Sequence, residues 1–116
     1  MRRRLHAFGC LVLLLAVEGC ESSDRASVEP TLRNNLKVIR DLIDQYQGDM
    51  GHPPPTLRAL VDQGYIRLVP YDPITRRNDT WIEIRDLGEG GCPPGVVDVR
   101  SGASGRARDG TRYADW

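Results

Sequence analysis

A stripe of apolar residues runs through the first half of the chain. Its members stand three or four positions apart, as on one face of a helix: Leu32, Leu36, Ile39, Ile43 and Tyr46. Pro30 suits the first turn of a helix, and Gly48 and Gly51 are typical helix terminators. The pattern therefore predicts an amphipathic helix over residues 31–47, with this stripe facing the core.

The second half of the chain has patterns typical of shorter elements. Thr56 is a suitable cap for a short second helix, which Gly64 would end. Near the C-terminus a polar, glycine-rich stretch finishes with Tyr113 and Trp116. Aromatic side chains bury a large apolar area, so we expect this pair to dock the C-terminal loop onto the domain.

Two segments have the pattern of β-strands. Alternating residues in TWIEIRD (80–86) predict one strand, and VVDVRS (96–101) predicts another with Val97 and Val99 on one face. A long helix laid on a small antiparallel sheet of two or three strands is an α+β fold.

The N-terminal segment is typical of a targeting sequence. Three arginines precede an apolar run from Ala7 to Val17, which is shorter than the roughly 20 residues that a membrane-spanning helix needs. The run closes on Val17-Glu18-Gly19-Cys20, which resembles a bacterial lipobox with Cys20 as the lipid-bearing residue. Glu18 is unusual in that motif, and an ordinary secretory signal with a chance cysteine is the alternative.

The chain is accordingly predicted to have three parts. Residues 1–19 form a signal peptide of the lipoprotein type, residues 20–30 a polar tether, and residues 31–116 a single domain, which is all that the length allows. A lipid on Cys20 would hold the domain on the periplasmic side of a bacterial membrane.

Composition argues against several functions. Sixteen basic and sixteen acidic residues cancel, so there is no basic excess for nucleic-acid binding. His52 stands beside three prolines and Cys92 lies in a glycine-rich loop, whereas a catalytic nucleophile needs a positioned base. Asp72 and Asp79 are expected in polar surface loops. The sequence predicts a protein that is not an enzyme and has no small-molecule substrate.

Residues 31–116 resemble the G-type (major) pseudopilins of type II secretion. The resemblance rests on the order of several motifs: LRNNLKVIRDLIDQY (32–46), a His-Pro turn (52–53), LRALVDQGYI (57–66), VPYDP (69–73), VVDVRSGASG (96–105) and YADW (113–116). It implies a long spine helix packed on a small antiparallel sheet. It also implies a subunit that works through contacts with secretion-system or pilus-like proteins.

The leader departs from the pseudopilin pattern. In that family a glycine is followed by Phe, by Glu at the fifth position and by about 20 apolar residues that span the membrane. Here Cys10 follows Gly9, Leu14 holds the fifth position and the apolar run ends at Val17. Two functions therefore stay open: a tethered component of a secretion or pilus-like system, and a lipid-anchored binding module that reuses the domain.

The resemblance also implies calcium near the C-terminus. Many family members bind this ion there, and calcium requires about six to eight oxygen ligands. The family's aspartate in S-x-G-A-D-G corresponds to Ser104, which leaves Asp109 and Asp115 as the candidate ligands. A plain turn at Asp109-Gly110 is the alternative.

Overall fold

A computed structural model describes the backbone of residues 4–116 and the side chains of residues 27–116. The elements follow in the order α1 (Arg4–Met50), α2 (Leu57–Asp62), β1 (Ile82–Asp86), β2 (Gly95–Arg100) and a 3-10 turn (Tyr113–Asp115). The two strands pair antiparallel. An α+β fold with one long helix and a small antiparallel sheet is thus confirmed, with two strands in the described part of the chain.

Helix α1 begins well before the predicted start. Pro30 lies inside it, and residues 20–30, predicted as an unstructured tether, are helical. Pro30 has no N–H to donate to the carbonyl of residue 26. The turn before it is instead held by Glu29, whose Oε1 accepts hydrogen bonds from the Tyr113 hydroxyl (2.9 Å) and the Arg108 N–H (3.0 Å). These contacts join the residue before the proline to the C-terminal loop.

The C-terminal end of α1, at Met50, is close to the predicted one, although Gly48 lies inside the helix and does not end it as predicted. Gly51 adopts a φ of 79°, a conformation that glycine adopts without a steric cost. Its N–H donates to the Gln47 carbonyl at 2.9 Å, which satisfies one of the free carbonyls of the last turn.

The predicted signal peptide and the lipid site at Cys20 lie outside the residues whose side chains are described. Within the described residues, no helix combines the length and the apolar character required to cross a bilayer.

The predicted stripe of α1 forms the centre of the core, because each of its five members is almost completely buried. It packs with apolar residues from α2, from β2 and from the residue before β1: Leu57, Leu60, Trp81, Val96 and Val99. The prediction that this stripe faces the sheet is confirmed.

A β-bulge decides which valines of β2 face the core. Val96 and Val99 are fully buried, whereas Val97 is 39% exposed, so the predicted pairing of Val97 with Val99 on one face is wrong. Ile84 lies opposite Asp98 and Arg85 lies opposite Val96, which makes Val97 the extra residue of the bulge. A bulge breaks the two-residue alternation of a strand, and this sets Val96 on the same side as Val99.

Helix α2 has the predicted ends. The Thr56 hydroxyl accepts a hydrogen bond from the Ala59 N–H at 3.3 Å, and Gly64 follows the helix with a φ of 80°. The proline-rich connector between the helices also contacts the sheet, since the Pro54 carbonyl accepts the Val96 N–H at 2.7 Å.

Candidate functional site

An open pocket of about 460 Å³ lies between α1 and the C-terminal loop. We call it the arginine pocket because three guanidinium groups line it, together with two carboxylates, a hydroxyl and an indole ring: Arg33, Arg106, Arg112, Asp109, Asp115, Thr111 and Trp116. Both candidate calcium ligands are therefore brought to one place.

The indole of Trp116 forms one wall of the arginine pocket. The Arg33 guanidinium carbon lies 3.7 Å from the centre of its ring, a favourable cation–π distance. The indole N–H donates to the Thr111 hydroxyl at 2.8 Å, and the Tyr113 ring meets it edge-on at 5.2 Å. Tyr113 is buried and Trp116 is half-buried, so the predicted docking of this aromatic pair is confirmed.

The Asp109 carboxylate is engaged within its own turn. Its Oδ1 accepts hydrogen bonds from the Thr111 N–H and hydroxyl, and its Oδ2 lies 3.7 Å from Arg33 Nη2. The hydrogen bonds from Thr111, helped by the charge of Arg33, hold the pKa of Asp109 below its ordinary value. This carboxylate is ionised at neutral pH, and one of its two oxygens already accepts two hydrogen bonds.

The surroundings of the two carboxylates are unfavourable for calcium. No group of three or more His, Cys, Asp or Glu side chains converges anywhere in the described residues, and three guanidinium groups share the pocket with Asp109 and Asp115. Calcium requires about six to eight oxygen ligands. Asp109 and Asp115 by themselves supply fewer oxygens than the ion requires, and calcium binding stays a prediction.

The arginines of the pocket differ in how far their donors are used. Arg106 donates through Nη1 to the Gly110 carbonyl at 2.9 Å. Arg112 is exposed, and no side-chain hydrogen bond or ion pair of its guanidinium occurs among the described residues. The sequence analysis considered only the overall charge balance and missed the pocket. The signal was the density of arginine in GRARDGTR (105–112).

A buried carboxylate holds the VPYDP segment against the end of β2. Asp72 Oδ1 accepts the N–H groups of Ile74 (2.9 Å) and Thr75 (3.3 Å), and Oδ2 accepts the Ser101 hydroxyl at 2.7 Å. Both Asp72 and Ser101 are fully buried, which corrects the expectation of a surface role for Asp72. Asp79 does lie on the surface, where it pairs with Arg77.

His52 and Cys92, the two candidate catalytic side chains, have different surroundings. The His52 ring packs edge-on against Tyr46 at 5.9 Å, with Nδ1 3.0 Å from the Pro53 carbonyl oxygen. Cys92 is a free, exposed thiol. No hydrogen bond joins them in the part of the chain that the structure describes. That the protein has no catalytic activity remains a prediction.

The sheet carries apolar side chains on its outer side. Ile82 is 51% exposed, while Ile84 and Val97 are each 39% exposed. Ile82 and Ile84 alternate with Trp81 and Glu83 along β1, and Trp81 is buried, so the two isoleucines face away from the core. We call these three residues the apolar sheet surface.

The comparisons with known proteins assign no relative. No family model matches the chain, and neither a curated protein nor a solved structure shows significant similarity to it.

Proposed function

We propose that this chain is a non-catalytic, pseudopilin-like component of a type II secretion or type IV pilus-like system. It acts through protein–protein contacts from a position on the periplasmic side of a bacterial membrane, held there by a lipid on Cys20.

The observation that carries this proposal is the packing of the amphipathic α1 stripe against a two-stranded antiparallel sheet. This is the arrangement that the resemblance of residues 31–116 implies, and α1 is confirmed as the dominant element of the domain. The motif order in the sequence and the element order in the structure therefore support the same proposal.

The apolar sheet surface supports the part of the proposal that concerns protein contacts. Exposed apolar side chains that lie together on a small domain are a frequent feature of interaction sites. Ile82 and Ile84 project from one face of β1 beside the bulge at Val97. The surface that a partner could contact is therefore about as wide as two strands.

The lipid anchor is tested by labelling cells with radioactive palmitate and identifying the mature N-terminal residue by mass spectrometry. We expect label on the wild-type chain and a mature protein that begins at Cys20. Cys20→Ala should lose the label, whereas Cys92→Ala should keep it, because Cys92 lies in the domain. A chain that retains residues 1–19 in purified filaments would contradict this part of the proposal.

The partner contacts are tested by placing a photo-crosslinking amino acid at Ile84 in cells with an active secretion system. We expect crosslinks to pseudopilus or secretion-system proteins, identified by mass spectrometry. The matched control is the same amino acid at Gln45, an exposed position on α1, which should give few or none. Equal yields from the two positions would count against the apolar sheet surface as the contact.

The same experiment distinguishes the alternative of a lipid-anchored binding module outside a secretion system. That function predicts palmitate label on Cys20 together with Ile84 crosslinks to proteins unrelated to secretion. Deleting the secretion genes would then leave the crosslinks unchanged, whereas the proposed function predicts their loss.

Calcium is a separate prediction from the resemblance and no step of the proposed function depends on it. If the loop binds the ion through Asp109, millimolar calcium should raise the melting temperature of the wild type but not of Asp109→Asn. An equal response of both proteins to calcium and to magnesium would rule out a specific site there.

A further inference from the structure

We propose that the arginine pocket binds the carboxylate of an Asp or Glu side chain on an exposed acidic segment of a partner protein. The inference rests on the proposed function in that it takes the ligand to be part of a protein and Cys20 to be the membrane anchor. It concerns a surface different from the apolar sheet surface.

The charges of the pocket favour a single negative group. Three arginines and two aspartates line the pocket, which leaves one net positive charge among these side chains. Asp109 is already engaged, since its Oδ1 accepts two hydrogen bonds from Thr111 and its Oδ2 pairs with Arg33. One incoming carboxylate would balance the remaining charge.

The donors available in the pocket match a carboxylate. A guanidinium has five N–H donors in a fork that pairs with the two oxygens of a carboxylate. Arg112 has none of them engaged by a described side chain, and Arg106 gives only Nη1 to Gly110. Two neighbouring arginines, bridged through their backbones, thus present free donors to the opening.

The other walls of the pocket suit the methylene groups of a Glu side chain and the backbone of the peptide that carries it. The half-buried ring of Trp116 is an apolar surface for the methylene groups of Glu. Asp115 and the Thr111 hydroxyl are oxygen acceptors in the same wall. They can accept hydrogen bonds from the backbone N–H groups of a peptide. A free anion brings no such donors.

Phosphate-bearing ligands fit the pocket less well. A phosphomonoester carries about −1.5 to −2 charges at pH 7, which exceeds the net charge of the wall. A lipid headgroup is also distant, because Arg33 follows Cys20 by thirteen residues, or roughly 20 Å along α1 at the helical rise per residue.

The test measures binding to the full chain in dodecyl maltoside micelles by ¹⁵N NMR, with the indole N–H of Trp116 and the Nε–H of Arg112 as reporters. The probes are the capped tripeptides Gly-Glu-Gly and Gly-Gln-Gly, which differ only in charge and hydrogen bonding. We expect saturable shifts with the Glu peptide, with an affinity at least about fivefold higher than for the Gln peptide.

Two variants and one control locate the binding site. Arg112→Gln and Arg106→Gln should each weaken binding of the Glu peptide, with a dispersed spectrum showing that the variant is folded. Arg67→Gln removes an exposed arginine outside the pocket and should bind as the wild type does. Added salt should weaken binding, since the attraction is between charges near solvent.

Four results would overturn the inference. These are the lack of saturation with the Glu peptide, equal affinity for the Gln peptide, tighter binding of inorganic phosphate, and shifts that appear only when phosphatidylglycerol is added to the micelles. The measurement contains no secretion protein, so a failure here is distinguishable from failed crosslinking at the apolar sheet surface.

Discussion

Arg40 and Asp98, which are 58 positions apart in the sequence, are joined by a hydrogen bond of 2.8 Å between Nε and Oδ1. The same guanidinium donates through Nη2 to the carbonyl oxygens of Val99 (2.9 Å) and Trp116 (2.6 Å). One side chain on α1 therefore contacts both β2 and the C-terminal loop. The strand thus offers this guanidinium acceptors in fixed positions.

Replacing Arg40 by Gln should lower the free energy of unfolding by about 1–2 kcal/mol, because three hydrogen bonds from a charged donor are lost while the site remains about one-third open to solvent. Urea denaturation followed by tryptophan fluorescence measures this change. Lys37→Gln is the control: it breaks the fully exposed pair with Asp41 and should cost less than about 0.5 kcal/mol. Equal losses in the two variants would contradict the role of Arg40.

The ion pair should also make stability depend on pH. Burial alone would raise the pKa of Asp98, but the hydrogen bond from the Val99 N–H and the pairing with Arg40 outweigh it and leave the pKa below its ordinary value. A lowered folded pKa stabilises the protein above the unfolded pKa of about 3.9, and this contribution is lost as the pH falls through the folded pKa.

Asp98→Asn tests this dependence. We expect the wild type to be more stable than the variant at pH 6, and the difference to shrink when the pH is lowered below about 4. Urea denaturation across the acid range gives both curves. A difference that stays constant down to pH 2 would show that the charge of Asp98 does not contribute.

The buried carboxylate of Asp72 should be among the most sensitive polar positions. Asp72→Ala removes the two oxygens that accept three hydrogen bonds, from the Ile74 and Thr75 N–H groups and the Ser101 hydroxyl, so we expect a loss of about 2–4 kcal/mol. Ser101→Ala should cost about 1–2 kcal/mol, because it leaves one carboxylate oxygen unpaired. The surface variant Asp79→Ala, as control, should change stability by less than about 0.5 kcal/mol.

Two glycines should respond in opposite directions to substitution by alanine. A Cβ at Gly102 would overlap the carbonyl oxygen of Thr80, and relieving that clash should cost about 1–3 kcal/mol. A Cβ at Gly48, inside α1, meets nothing within 4 Å, so alanine there should stabilise the helix by about 0.5–1 kcal/mol. Thermal melting of both variants measures the shifts, and a stable Gly102→Ala protein would contradict the close approach.

The core packing is tested at Ile39, which is almost completely buried within the stripe. Ile39→Ala should cost about 2–5 kcal/mol, and Ile39→Asp should abolish folding because an unpaired carboxylate cannot be buried. Gln45→Asp introduces the same charge on the exposed side of α1 and should leave the domain folded. Circular dichroism separates these outcomes, and a soluble, folded Ile39→Asp protein would refute the packing.

The elements that depend on local pattern were predictable from the sequence. The spacing of the stripe, the cap at Thr56 and the glycines after both helices depend on neighbouring residues, and these features occur where they were predicted. The helical period and the positive φ of a terminating glycine are local properties. A single sequence is sufficient to recognise them.

The errors arise where a distant contact decides the local structure. Pro30 suited a helix start, but Glu29 is held by Tyr113 and the helix continues through the proline. Asp72 looked like a surface residue, and only the approach of Ser101 gives it a buried partner. The arginine pocket likewise combines Arg33 with residues more than seventy positions later in the chain.

The bulge at Val97 determines how the domain tolerates deletions and substitutions in β2. Three valines of equal hydropathy stand within four positions, and only the irregular pairing tells the inner ones from the outer one. Deleting Val97 would remove the bulge and restore regular alternation, and Val96 and Val99, then two positions apart, would stay on the buried face. A polar replacement at Val97 would likewise leave the interior untouched, and it would make the protein more soluble.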